Sequence, residues 1–230
     1  MVDRVKPRRH YDSPRRREQA AATRRRILDA ARELFERDGY AVTSMAAVAA
    51  AAAVSPRTVY LAFETKPGLL RALWHLLLRG EQDAVPVGEQ PWFREVLDEP
   101  SPRRQLLLNM RNSRTVKVRV GALMEVIRDA AAGDAEIRAL WERIQTEFRA
   151  NQRVVVQSLE AKGALREGLD VDGATDILWS LNHPTLFGLL TRERGWSPAR
   201  YEQWLGELIC AQLLRDAGDS GASGASGDRR

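Results

Sequence analysis

The chain has 230 residues and a formal net charge of +5, with 44% hydrophobic and 29% charged side chains. That balance suits one or two soluble globular domains with real cores. Aromatics make up 7%, and the single cysteine, Cys210, rules out an intrachain disulfide and a thiolate metal cluster, so a reducing, cytoplasmic setting is expected. A chain dense in Ala, Leu, Arg and Glu favours helix over strand, and the expected fold class is all-α.

The first 26 residues carry ten Lys or Arg against three acidic side chains. Such a concentration of positive charge raises affinity for phosphate backbones, although a solvated tail has the same composition. No apolar stretch follows it, so no secretory signal is expected. No run approaches the roughly 18 apolar residues of a membrane span, so no membrane partner is expected either. Residues 1–22 read as a flexible basic arm.

From Thr23, Ile27, Leu28, Ala31, Leu34 and Phe35 recur at helical spacing, with Gly39 placed as the stop. Thr43 or Ser44 is the candidate N-cap of a short Ala-rich helix. Ser55-Pro56 opens a second short helix, and Lys66-Pro67 starts a longer one running to about Gly80. Residues 81–91 read as a linker, followed by a short helix around Trp92 to Leu97. Residues 102–131 are helical by composition, with a break expected near Asn112-Ser113; the alternating Val116, Val118 and Val120 are too short a signal for a strand. Asp134 caps a helix whose apolar stripe runs from Ile137 to Leu159 and stops before Gly163. Asp170 opens the next. Pro184 forces a break at Asn182-His183, and a new helix is expected from there to about Arg194. Ser197-Pro198 starts the last helix, to about Arg215. The Gly/Ser/Ala-rich residues 217–230 read as a disordered tail.

Two short helices separated by three or four residues have helix-turn-helix spacing. Such a pair needs a small residue where the helices touch, and Ala49 fits. It needs apolar residues that lock it to the preceding helix, and Met45, Val48, Val54 and Val59 qualify. It also needs polar side chains at the exposed start of the second helix, where Ser55, Arg57, Thr58 and Tyr60 are available.

The blocks ILDAARELF, GYAVTSMAAVA and AVSPRTVYLAFETKPGLL, in that order between Ile27 and Leu70, resemble the DNA-binding domain of TetR-family bacterial transcriptional regulators. The resemblance covers about a fifth of the chain; the rest matches in length and helix pattern. It implies a three-helix DNA-binding domain, here residues 23–66, and a helical ligand-binding and dimerisation domain, here residues 67–216. It also implies that Thr43 and Ser44 contact phosphate. Ser55, Pro56, Arg57, Thr58 and Tyr60 then lie on the recognition helix, and Lys66 grips the DNA backbone. Arg57 is the candidate base reader, because a guanidinium can bridge guanine O6 and N7. The plain alternatives are a solvated side chain for Arg57 and Tyr60, and capping alone for Thr43 and Ser44. The family's turn usually holds Gly where this chain has Ala53; alanine would cost about 1 kcal/mol in that left-handed geometry.

The implied function is a ligand-responsive homodimeric repressor of a palindromic operator, with double-stranded DNA, a second copy and a small, mostly apolar effector as partners. A constitutive DNA-binding dimer is the alternative. Candidate pocket residues are Trp74, Met110, Met124, Trp141, Phe148, Trp179, His183 and Phe187, each of which also fits core packing. His183 could offer a polar contact or simply cap a helix. No phosphate-cradling glycine motif, triad or paired His is present, so neither an enzyme nor a metal or cofactor site is expected.

Overall fold

The computed structural model describes residues 14–80 and 86–215. The expected arm up to residue 13 and the expected tail lie outside these. Among the described residues there is no strand, only an isolated antiparallel bridge between Leu165 and Leu214, and the fold is all-α. No single described helix is long and apolar enough to cross a membrane. Packing divides the chain between Leu73 and Trp74, within one helix.

The first unit holds α1 (Pro14–Asp38), α2 (Met45–Ala51), α3 (Pro56–Phe63) and the start of α4 (Lys66–Arg79). Helix α1 begins at Pro14 rather than near Thr23. Residues 14–22 hold no Gly and no internal Pro, and the Gln-Ala-Ala-Ala run favours helix, so part of the expected arm is helical. Ile27, Ala31 and Phe35 of α1, Val48 of α2, Val59 of α3 and Leu69 and Leu70 of α4 are fully enclosed. Gly68 allows a close approach, since a Cβ there would lie 2.4 Å from the Phe63 carbonyl oxygen.

The second unit continues α4 and adds a 3-10 turn (Val87–Glu89) and helices α5 (Pro91–Asp98), α6 (Pro102–Ala130), α7 (Ala135–Ala161) and α8 (Val171–Leu181). After α9 (Pro184–Gly188) and a π-helical turn (Leu189–Glu193) it ends with α10 (Pro198–Leu213). The caps fall where the residues ask for them: Ser101, Asp134, Asp170, His183 and Ser197 each accept a bond from a backbone amide of the first turn.

Two expectations fail here. Helix α6 runs unbroken through Asn112-Ser113, because its polar side chains have found partners. Asn112 Nδ2 donates to the Trp92 carbonyl, Ser113 Oγ to Asn182 Oδ1, and Thr115 Oγ1 to the carbonyl of Arg111. None is left to compete for the helix's own amides. The helix from Pro184, expected to reach about Arg194, is α-helical only to Gly188 before the π-helical turn.

Candidate nucleic-acid interface and effector cavity

The axes of α2 and α3 turn by 112°, within the range of helix-turn-helix pairs. The turn keeps its left-handed residue although that residue is alanine: Ala53 has φ of +52°, and Val54 N–H reaches back to the Ala49 carbonyl at 3.0 Å. Ala49 is buried at the crossing. Ser44 caps α2, its Oγ accepting from Ala47 N–H at 3.0 Å. Ser55 caps α3, its Oγ accepting from Thr58 N–H at 3.1 Å and pairing with Thr58 Oγ1 at 2.8 Å. Pro56, Arg57 and Tyr60 are exposed on the face that follows.

Two residues have other engagements. Thr43 is 4% exposed, and its hydroxyl donates to the Gly39 carbonyl at 2.8 Å, closing the end of α1. Lys66 is half-buried, with Nζ 3.3 Å from the Ala41 carbonyl and 4.1 Å from the Tyr40 ring centre. A residue not singled out from sequence, Arg24, holds the far end of α3. It donates to the Ala62 carbonyl at 3.0 Å and its guanidinium stacks 4.4 Å from the Phe63 ring centre. Val42 and Leu61 are exposed apolar side chains of the same unit.

The second unit encloses a cavity with about 760 Å³ of empty space, part of it open to solvent. Its apolar wall includes Trp74, Leu78, Trp92, Phe93, Val120, Met124, Ile144 and Phe148. Its polar wall comprises Asn109, Ser113 and Lys117 on α6, Glu147, Asn151 and Gln152 on α7, and Asn182 after α8. Of the expected pocket residues, Trp74, Met124 and Phe148 line this cavity. Trp141, Phe148 and Trp179 surround His183, with ring centres 6.4, 6.4 and 5.4 Å away. Met110 and Phe187 belong to the packed core, where Phe187 meets Tyr201 edge-on at 5.1 Å.

His183 performs the capping role. Nδ1 accepts from Thr185 N–H at 3.3 Å and Nε2 lies 3.1 Å from Gln145 Oε1, which suits a neutral ring with its proton on Nε2. Burial, with help from the charges of Lys117 and Arg128, pulls its pKa below the ordinary histidine value.

Lys117 is the residue that sequence reasoning passed over. It is 3% exposed, and burial pushes its ammonium well below the usual lysine range. Nζ donates to Asn182 Oδ1 at 2.6 Å and to the Tyr201 hydroxyl at 3.2 Å. Burial also raises the Tyr201 phenol, which therefore stays protonated. Asn182 Nδ2 in turn donates to Gln152 Oε1 at 3.3 Å. The available signal was the spacing of Asn109, Ser113 and Lys117, which puts three polar side chains on one face of a helix whose neighbours Val116, Val120 and Met124 are apolar.

A capped helix-turn-helix pair in one unit and a lined cavity in an all-helical second unit define a helix-turn-helix protein with a separate helical unit. Residues 27–73 match the family model described as "Bacterial regulatory proteins, tetR family". Over those residues the chain is similar to the DNA-binding part of that family. It is 37% identical over 73 residues to the HTH-type transcriptional regulator UidR of Escherichia coli K12, covering 32% of this chain and 36% of that one. The chain thus spans about a third of the length of that relative. Among solved structures, it is similar in fold to native NalD, the secondary repressor of the MexAB-OprM multidrug efflux pump in Pseudomonas aeruginosa. That match has a TM-score of 0.67 at 23% identity, over 86% of this chain and 99% of that one. The SmeT–triclosan complex matches with a TM-score of 0.63 at 21% identity, over 85% and 93%.

Proposed function

We propose that the protein is a non-enzymatic, DNA-binding transcriptional regulator: a homodimeric repressor that reads a palindromic operator and releases it on binding a small effector. The observation that carries this reading is the exposed start of α3, with Arg57 and Tyr60 facing solvent beyond a 112° turn. Helix N-termini so presented dock in the major groove, and one short recognition helix reads too few base pairs alone, so two copies on a two-fold site are the physical solution. The role of Arg57 is direct reading of a base edge. Ser44, Ser55, Pro56, Thr58 and Tyr60 support docking. Lys66 contributes general attraction to the backbone. Thr43 acts from within by fixing the end of α1. The cavity favours the effector-responsive form over a constitutive dimer, and the SmeT neighbour, bound to triclosan, supports a mostly apolar occupant.

The test is binding-site selection from genomic fragments with the purified protein, followed by titrations on the selected site. Arg57→Ala is expected to cost about 1–3 kcal/mol on that site and to relax preference at one position of each half. Lys66→Ala should weaken specific and random DNA alike and flatten the salt dependence. Equal losses on both kinds of DNA for Arg57→Ala would refute its assignment as base reader, and failure to select any site would refute the regulator itself.

A further inference from the structure

Lys117 carries a charge into the middle of a helical unit and meets no carboxylate there: it forms no ion pair among the described residues, and both its hydrogen-bond acceptors are neutral. The groups that bear on it electrostatically are few. Tyr201 of α10 stays protonated. The pKa of His183 is lowered by burial and by the charges of Lys117 itself and Arg128. Glu147 of α7, at the cavity wall, faces Arg79 at 3.6 Å, so its charge is already offset. A second donor is idle nearby. Asn109, two turns before Lys117 on the same helix face, is 4% exposed, lines the cavity and has an amide nitrogen with no hydrogen-bond partner. Folding alone explains neither, since an unpartnered buried amide and an uncompensated buried ammonium each carry a desolvation penalty.

Both penalties are relieved by one kind of occupant. A negative charge brought beside Nζ in surroundings of low dielectric turns the lysine's penalty into attraction, and an acceptor oxygen satisfies the amide. The opposite wall, with Trp74, Trp92, Val120 and Met124, asks for an apolar body. We propose that the cavity takes an amphiphilic carboxylic acid, a carboxylate on an aliphatic or aromatic body, with Lys117 as its counter-ion and Asn109 as a second donor. This inference rests on reading the cavity as the effector site. The vacant cavity disfavours the ammonium, whereas an anion beside Nζ favours it.

The experiment titrates the full-length protein with decanoate and 4-phenylbutyrate, each beside its primary amide, which preserves shape and acceptor but not charge. Calorimetry reads each affinity. Wild type is expected to prefer each acid by about tenfold or more. Lys117→Met should bring acid and amide to equal affinity, while Asn109→Leu should weaken both probes and keep the preference. Equal affinity of acid and amide for wild type, a preference that survives Lys117→Met, or no binding of any probe would overturn the proposal. Operator release measured on the same samples separates the two readings. If amides bind and release DNA as well as acids do, the charge inference fails and the effector reading stands. If acids bind with preference and DNA stays bound, the reverse holds.

Discussion

Up to Leu73 the polar side chains of α2 and α3 cap helix ends or face solvent above a core of Ile27, Phe35, Val48, Val59 and Leu69, with Thr43 the buried exception. From Trp74 onward Gln105, Asn109, Lys117, Gln152, Thr175 and Asn182 are all buried. The first unit therefore keeps these polar groups on its surface, where water hydrates them. The second keeps them inside, where each must find a partner in the fold or carry a desolvation penalty. Under the proposed function, stability and recognition can be varied separately in the first unit and are opposed in the second.

That opposition is sharpest at Lys117. Lys117→Met should stabilise the protein by about 1–4 kcal/mol, because an apolar side chain of similar length replaces an uncompensated buried cation. The gain should also depend on pH. With its folded pKa well below the ordinary 10.5, the lysine binds its proton more readily in the unfolded chain, so wild-type stability rises with pH up to that ordinary value. The advantage of Lys117→Met in urea denaturation should thus be larger near about pH 7 than near about pH 10. A destabilised variant would mean that the lysine's hydrogen bonds outweigh its burial.

Gly68 tests whether the first unit tolerates change as a surface-coded unit should. A Cβ at this position would press on backbone, 2.4 Å from the Phe63 carbonyl oxygen, so Gly68→Ala should destabilise by about 1–3 kcal/mol and weaken operator binding by displacing the end of α3. A wild-type melting curve would show that α4 shifts without strain. The reverse sign is expected in the turn. Ala53 sits at φ of +52°, and Ala53→Gly should stabilise by up to about 1 kcal/mol in thermal unfolding. Destabilisation would mean that the entropy glycine adds to the unfolded chain exceeds the strain it relieves.

The smallest effect expected concerns His183. Its folded pKa lies below the ordinary 6.5, so the unfolded chain takes the proton first. Its contribution is intact above that ordinary value and is lost as pH falls through it toward the depressed folded value. His183→Asn keeps a capping side chain and removes the titration. The variant should lose less melting temperature than wild type between about pH 7 and about pH 5. Parallel losses would assign the acid sensitivity to other groups.

The sequence by itself determined what local rules govern. Ser44, Ser55, Asp134, Asp170 and Ser197 cap helices because each side chain bonds an amide two or three residues away, and the α2–α3 pair follows from caps, a turn and a small crossing residue within about 20 positions. Lys66-Pro67 marked the start of α4 and Pro184 the break before α9 for the same reason. Only the tertiary structure decided the rest. Asn112-Ser113 reads as a helix break until Trp92 and Asn182, far away in sequence, accept their hydrogen bonds. Thr43 reads as a surface cap until its hydroxyl turns inward to Gly39. Lys117 reads as a solvated charge between two valines until α6, α8 and α10 close over it and leave Asn182 and Tyr201 as its partners, 65 and 84 positions away. The side-chain spacing places a lysine on a helix face, but whether water or protein covers that face depends on contacts that no local pattern encodes.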